Sequence, residues 1–182
     1  MVSGTDGNDF QHRERVAGQY SVSATNKARL KGLVAVHLLL GVVHLVRLLP
    51  SLLPLLGISV SLPLPTTPHP SPIEYAWLVS LPFTMLAMSA CKRSKSGPLQ
   101  VFQLVLLLAC ISTSLITLFL LSPDTIEFLI TGSSKGQDTV LGHPFPALWS
   151  AFLLLCVLVH VAQIVVTRTL VQAWAPRHGK RQ

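Results

Sequence analysis

His37 and His44 stand seven residues apart with Gly41 between them, inside an apolar run from Leu33 to Leu49. At about 100° per residue, seven positions return to nearly the same helix face. Two imidazoles on one face could ligate a metal or relay protons, and ionisable residues within a membrane are candidates for function. A tight metal site needs three or four ligands, and His160, in another apolar run, is the obvious third. The same residues also fit a packing role, in which each imidazole bonds a neighbouring helix and Gly41 lets that helix come close. The packing role is the expectation here, with no metal and no cofactor. A small channel or a proton/metal carrier built on His37, His44 and His160 is the alternative.

The second group lies ahead of that run, in Gly4-Thr5-Asp6-Gly7-Asn8-Asp9-Phe10-Gln11-His12-Arg13-Glu14-Arg15-Val16-Ala17. No packed core needs so dense a set of charges beside an apolar stretch. Asn8 or Asp9 is expected to cap a short helix starting at Phe10, with Ala17 and Tyr20 at helical spacing from it. Phe10, His12, Arg13, Arg15 and Tyr20 then form a partner-binding set. The aromatics would anchor, and the arginines would make charge-assisted hydrogen bonds to acidic groups.

The three cysteines, Cys91, Cys110 and Cys156, are odd in number and lie in or beside apolar runs, which argues against a disulfide framework. Cys91, just before Lys92-Arg93, suits either reversible palmitoylation or the role of a small apolar residue. Lys180 stands third from the end, beside Arg181, where dilysine retrieval signals place a lysine. Gly179 and His178 occupy the companion positions, so the signal is degenerate. The chain carries no nucleophile elbow, no phosphate-binding glycine loop and no paired carboxylates within an apolar run, so it does not read as an enzyme. A transporter would be expected to show internal repeats and substrate-binding polar groups at mid-bilayer, which four short spans with few polar residues fit poorly.

The elements that must position these residues are membrane spans. Half of the 182 residues are apolar, only 12% are charged, and mean hydropathy is +0.57, against about a quarter charged in soluble domains. An all-α polytopic protein with four transmembrane helices is expected, with spans near 33–49, 75–91, 99–121 and 147–167. The domain plan is an arm over 1–32, a four-helix membrane domain over 33–167 and a tail over 168–182. Pro98 and Pro123 are read as bounding the third span, and Pro82 as kinking the second. Arg47, near the end of the first span, is expected to snorkel to the interface. The alternating prolines from Pro63 to Pro72 suggest an extended strap, and the segment from Ser122 to Pro146 reads as irregular. About 30 mostly polar residues come before the first apolar run, so no cleaved signal peptide is expected.

Charge sets the orientation. Twelve of the fourteen lysines and arginines precede the first span, separate the second from the third, or follow the fourth; only Arg47 and Lys135 fall on the other side. The positive-inside rule therefore places both termini in the cytosol. The net charge of +7 reflects sidedness and attraction to anionic headgroups, not a nucleic-acid surface, which would gather charge and aromatics on one soluble face.

The run from Gly4 to Ala17 resembles the N-terminus of the Jagunal family nearly residue for residue. The likeness continues through Tyr20, Ser23, Thr25, Lys27, Lys31, Leu33 and Val36-His37. It returns more weakly at Glu74-Tyr75, Leu78 and Ser80, and again at Val159-His160, Gln163, Arg168, Leu170 and Trp174. The chain is identified as a divergent member. The resemblance implies a non-enzymatic, multi-pass protein of the endoplasmic reticulum membrane. It further implies a role in organising that membrane and in vesicle-mediated transport early in secretion, with the lipid bilayer and cytosolic vesicle-coat or trafficking proteins as partners.

Overall fold

The computed structural model describes residues 7–58, 67–134, 136–140 and 142–174. Helix α1 covers Gly7–Leu55, 49 residues. At 1.5 Å per residue that is about 74 Å, more than twice the hydrocarbon thickness. The arm and the first span are therefore one continuous helix, which corrects the expected short helix: Asn8 and Asp9 lie within α1 rather than ahead of it. The helix runs through Pro50 and Pro54 and stops at Gly57, whose φ of 73° is open to glycine without strain. There the Ile58 amide reaches back to Leu53 O at 3.0 Å, as in a Schellman cap.

The chain next forms a 3-10 helix, Pro72–Val79, and then α2, Ser80–Arg93. Pro82 falls in the first turn of α2, where a missing N–H costs little. It marks the change of helix type instead of kinking a single helix. Helix α3 (Ser96–Val105) continues through a π-helical turn (Leu106–Ile111) into α4 (Ser112–Thr131).

Pro123 was expected to end that span, yet α4 continues past it for two turns. Pro123 cannot donate to Phe119 O; the Ser122 hydroxyl takes its place at 2.7 Å. The segment expected to be irregular is thus helical as far as Thr131. It then carries a two-stranded antiparallel pairing of β1 (Thr139–Val140) with β2 (His143–Pro144) before α5, Phe145–Trp174. Pro63 to Thr66 of the expected strap, Lys135, and the tail residues Lys180 and Arg181 lie outside the described residues.

Four helices are long and apolar enough to cross a membrane: Phe10–Leu55, Pro72–Arg93, Ser96–Thr131 and Phe145–Trp174. Helix α5 is the hub and touches α1, α3 and α4. Its buried residues Leu153, Cys156, His160, Gln163, Thr167 and Leu170 recur at alternating steps of three and four. On α1 the buried residues Leu30, Val34, His37, Leu40, Gly41, His44 and Leu48 follow the same seam. A period near 3.5 keeps two helices in contact over many turns. Outside the seams, Leu38, Leu39, Val42, Leu154, Leu158 and Val165 are exposed, as suits lipid-facing sides.

Candidate functional site

The buried seam between α1 and α5 is polar at three levels. At the level of the 3-10 helix, Arg47 Nε donates to Glu74 Oε2 at 2.9 Å and Nη2 to Oε1 at 3.3 Å. The two side chains are only 7% and 3% exposed. Glu74 Oε1 also accepts the Ser71 N–H at 2.9 Å, which closes the first turn of the 3-10 helix. The guanidinium lies over the rings of Phe145 and Trp149, at 4.5 and 4.7 Å. Arg47 therefore does not snorkel outward. It is held by a carboxylate from the next element and by two aromatic faces.

One turn deeper, Trp77 is buried between the two histidines of α1. Its ring centroid is 5.0 Å from His37 and 4.9 Å from His44. His44 Nε2 bonds the Glu74 carbonyl at 3.0 Å. Gly41 is what lets Trp77 in: a Cβ at that position would lie 2.7 Å from Leu81 Cδ2 and 3.3 Å from the Trp77 ring. Valine at position 41 is expected to overpack this contact and destabilise the protein by about 1–3 kcal/mol. Thermal unfolding of the detergent-purified protein checks this, and an unchanged midpoint would show that close approach is not needed.

At the third level, His37 Nε2 meets Ser80 Oγ at 3.0 Å, and His37 Nδ1 meets both Gln163 Oε1 and His160 Nε2 at 3.2 Å. Gln163 Nε2 donates to Leu33 O at 3.1 Å. One ligand atom each from His37, Cys110 and His160 lies within 4.8 Å of the others. The histidine set read from the sequence is thus divided: His37 and His160 meet, whereas His44 sits beyond Trp77. Cys110, Gln163 and Ser80 complete the cluster. Each is visible in the sequence as a polar or thiol group in an apolar run, but nothing there pairs them with His37.

At the end of the bundle where the start of α1 meets the end of α5, Trp174 Nε1 donates to Ser23 Oγ at 2.9 Å. Lys27 Nζ donates to Ser94 Oγ at 2.8 Å and lies over the Trp174 ring. These bonds brace α1 against α5 and against the α2–α3 turn. Beyond them Phe10, His12, Arg13, Arg15 and Tyr20 are all exposed. At about 100° per residue, Phe10, Arg13, Ala17 and Tyr20 fall on one side of α1, and His12 and Arg15 on another. The five residues therefore do not form a single face. Cys91 is only 2% exposed and packs into the core. Of its two readings, small apolar residue or palmitoylated thiol, this burial favours the first.

Residues 1–178 match the family described as "Jagunal, ER re-organisation during oogenesis". The chain is 34% identical over 189 aligned residues to "Protein jagunal" of Drosophila melanogaster, covering all of this chain and 95% of the fly protein. It matches "Protein jagunal" of Drosophila pseudoobscura pseudoobscura to the same degree. To "Protein jagunal homolog 1" of Homo sapiens it is 28% identical, over 95% of this chain and 90% of the human one.

Proposed function

Since the chain belongs to the Jagunal family, we propose that it acts without catalysis as a four-span adaptor in the endoplasmic reticulum membrane. In this reading both termini face the cytosol. The arm recruits vesicle-coat or trafficking proteins, and that recruitment supports organisation of the membrane and vesicle-mediated transport early in secretion. The degenerate tail, Lys180 and Arg181, contributes weakly to retrieval.

The carrying observation is the unbroken extension of α1 beyond the Trp174–Ser23 and Lys27–Ser94 contacts. A helix held by Trp174–Ser23 and Lys27–Ser94 presents its outer turns at a fixed angle, so little ordering entropy remains to be lost on binding. Phe10 and Tyr20, 66% and 74% exposed, are large anchors with no apolar cover. Tyr20 also lines a recess of about 410 Å³ with Ser23, Lys27, Ser94 and Trp174, whose walls are part polar and part aromatic.

Replacing Phe10, Arg13 and Tyr20 together by alanine should reduce recovery of cytosolic coat or trafficking proteins, crosslinked in intact membranes, by at least about tenfold, because truncated hot spots typically cost ~2 kcal/mol each. Membrane insertion should be unchanged. Undiminished recovery rejects the arm as the binding site. An arm protected from protease in sealed microsomes would place it on the lumenal side and end the adaptor reading.

A further inference from the structure

Around His37, lone pairs outnumber the N–H and O–H protons, and the one thiol proton, on Cys110, lies within reach of Ser80. The Ser80 hydroxyl lies 2.8 Å from Trp77 O, and two oxygens that close need a proton between them, so the hydroxyl donates there. Ser80 Oγ can then only accept from His37 Nε2, which fixes the His37 proton on Nε2 and leaves Nδ1 bare. Gln163 commits its amide nitrogen to Leu33 O, so its oxygen is the atom turned toward His37 Nδ1. Two acceptors thus face each other at 3.2 Å. The N–H of His160 Nε2 can satisfy His37 Nδ1 but not Gln163 Oε1 as well. Placing that proton on Nε2 also leaves His160 Nδ1 without a proton of its own. His37, Cys110, His160 and Gln163 are each 0% exposed, so no bulk water makes up the shortage.

A cation does. We propose that His37 Nδ1, His160 Nε2 and Cys110 Sγ bind one copper(I) ion, with Gln163 Oε1 as a weak fourth ligand. The 3.2 Å separations of His37 Nδ1 from His160 Nε2 and from Gln163 Oε1 approach the roughly 3.3 Å edge of a tetrahedron with bonds of about 2.0–2.1 Å. Cys110 Sγ lies within 4.8 Å of one ring nitrogen of each histidine and needs a shift of at least about 1 Å to close the shell. It stands in the π-helical turn, a local irregularity common at functional sites.

Two histidines, one cysteine and a weak oxygen are a copper donor set, since the soft thiolate selects copper(I) over hard cations. Charge argues the same way. Binding releases the Cys110 proton, and thiolate plus copper(I) is neutral, whereas zinc(II) would leave a net positive charge in an apolar interior. Ser80 orients His37 through the ring nitrogen that does not bind the metal, as outer partners of ligating histidines do. His44 takes no part, because Trp77 stands between it and His37.

The test uses the full chain in lipid nanodiscs, loaded with copper(I) under reducing conditions and washed with a competing copper(I) chelator. The expected result is about one copper per chain, with X-ray absorption showing one sulfur and two nitrogen scatterers. Cys110→Ala should lower retained copper by at least about tenfold, while Cys156→Ser, a neighbouring buried thiol outside the set, should retain it. The absorption measurement on the unaltered chain stands even if Cys110→Ala fails to fold. A shell without sulfur, full displacement of copper by equimolar zinc, equal retention by Cys110→Ala, or no retained copper would each overturn the proposal.

Discussion

Glu74→Ala is expected to lower stability by about 3–5 kcal/mol, the usual cost of stripping one partner from a buried ion pair. Arg47 would keep its aromatic neighbours Phe145 and Trp149 but lose both hydrogen bonds to the carboxylate. Its remaining polar contact among the described residues, to Pro68 O at 3.4 Å, is long. The charge cannot escape easily, because the side chain is enclosed where α1, the 3-10 helix and the start of α5 meet. Ser71 N–H would lose its acceptor as well. Thermal unfolding in detergent should show a much lower midpoint. Pairing Arg47→Met with Glu74→Leu should recover most of it, since apolar replacement of both partners is often neutral or better. A wild-type midpoint for Glu74→Ala would show that water reaches Arg47 and that the pair contributes little.

Trp77→Ala should cost a similar amount, about 3–5 kcal/mol. The indole is 1% exposed and fills the space between His37 and His44 that Gly41 opens. Its removal leaves a cavity at the crossing of α1 with the 3-10 helix and frees both imidazoles to turn. Trp77→Phe separates volume from polarity. The Trp77 indole N–H has no hydrogen-bond partner among the described residues, so phenylalanine forfeits no bond there and only part of the packing, and should cost less than half as much. Equal losses for the two variants would mean that the indole N–H matters after all. No change for Trp77→Ala would mean that α1 and α5 hold the seam unaided.

Much of the architecture was legible in the residues. Four apolar runs forecast the four helices. The clustering of basic residues forecast that the start of α1, the α2–α3 turn and the end of α5 lie at one end, where Lys27 meets Ser94 and Trp174 meets Ser23. The prolines misled. Pro123 was read as bounding the third span, yet α4 passes through it, as α1 passes through Pro50, because long helices supported by neighbours tolerate a missing N–H and Ser122 supplies a substitute donor in α4. The break between arm and first span was likewise absent. Polarity changes near residue 32, but nothing in that stretch interrupts helical backbone bonding.

Hydropathy and charge are summed over contiguous residues and act against the bilayer as a whole. The chain alone therefore determined how many helices are long and apolar enough to cross, which faces are apolar and where the cationic ends gather. Which buried polar groups meet depends on the rotation and register of each helix, to within a fraction of a turn. Gly41 sets that register against Trp77 and Leu81, the two matched seams set it between α1 and α5, and the π-helical turn sets the facing of Cys110. Only the tertiary structure brings His37 to Gln163 across 126 positions of sequence and Arg47 to Glu74 across 27. Such contacts arise from close packing among many side chains at once, which no single segment encodes.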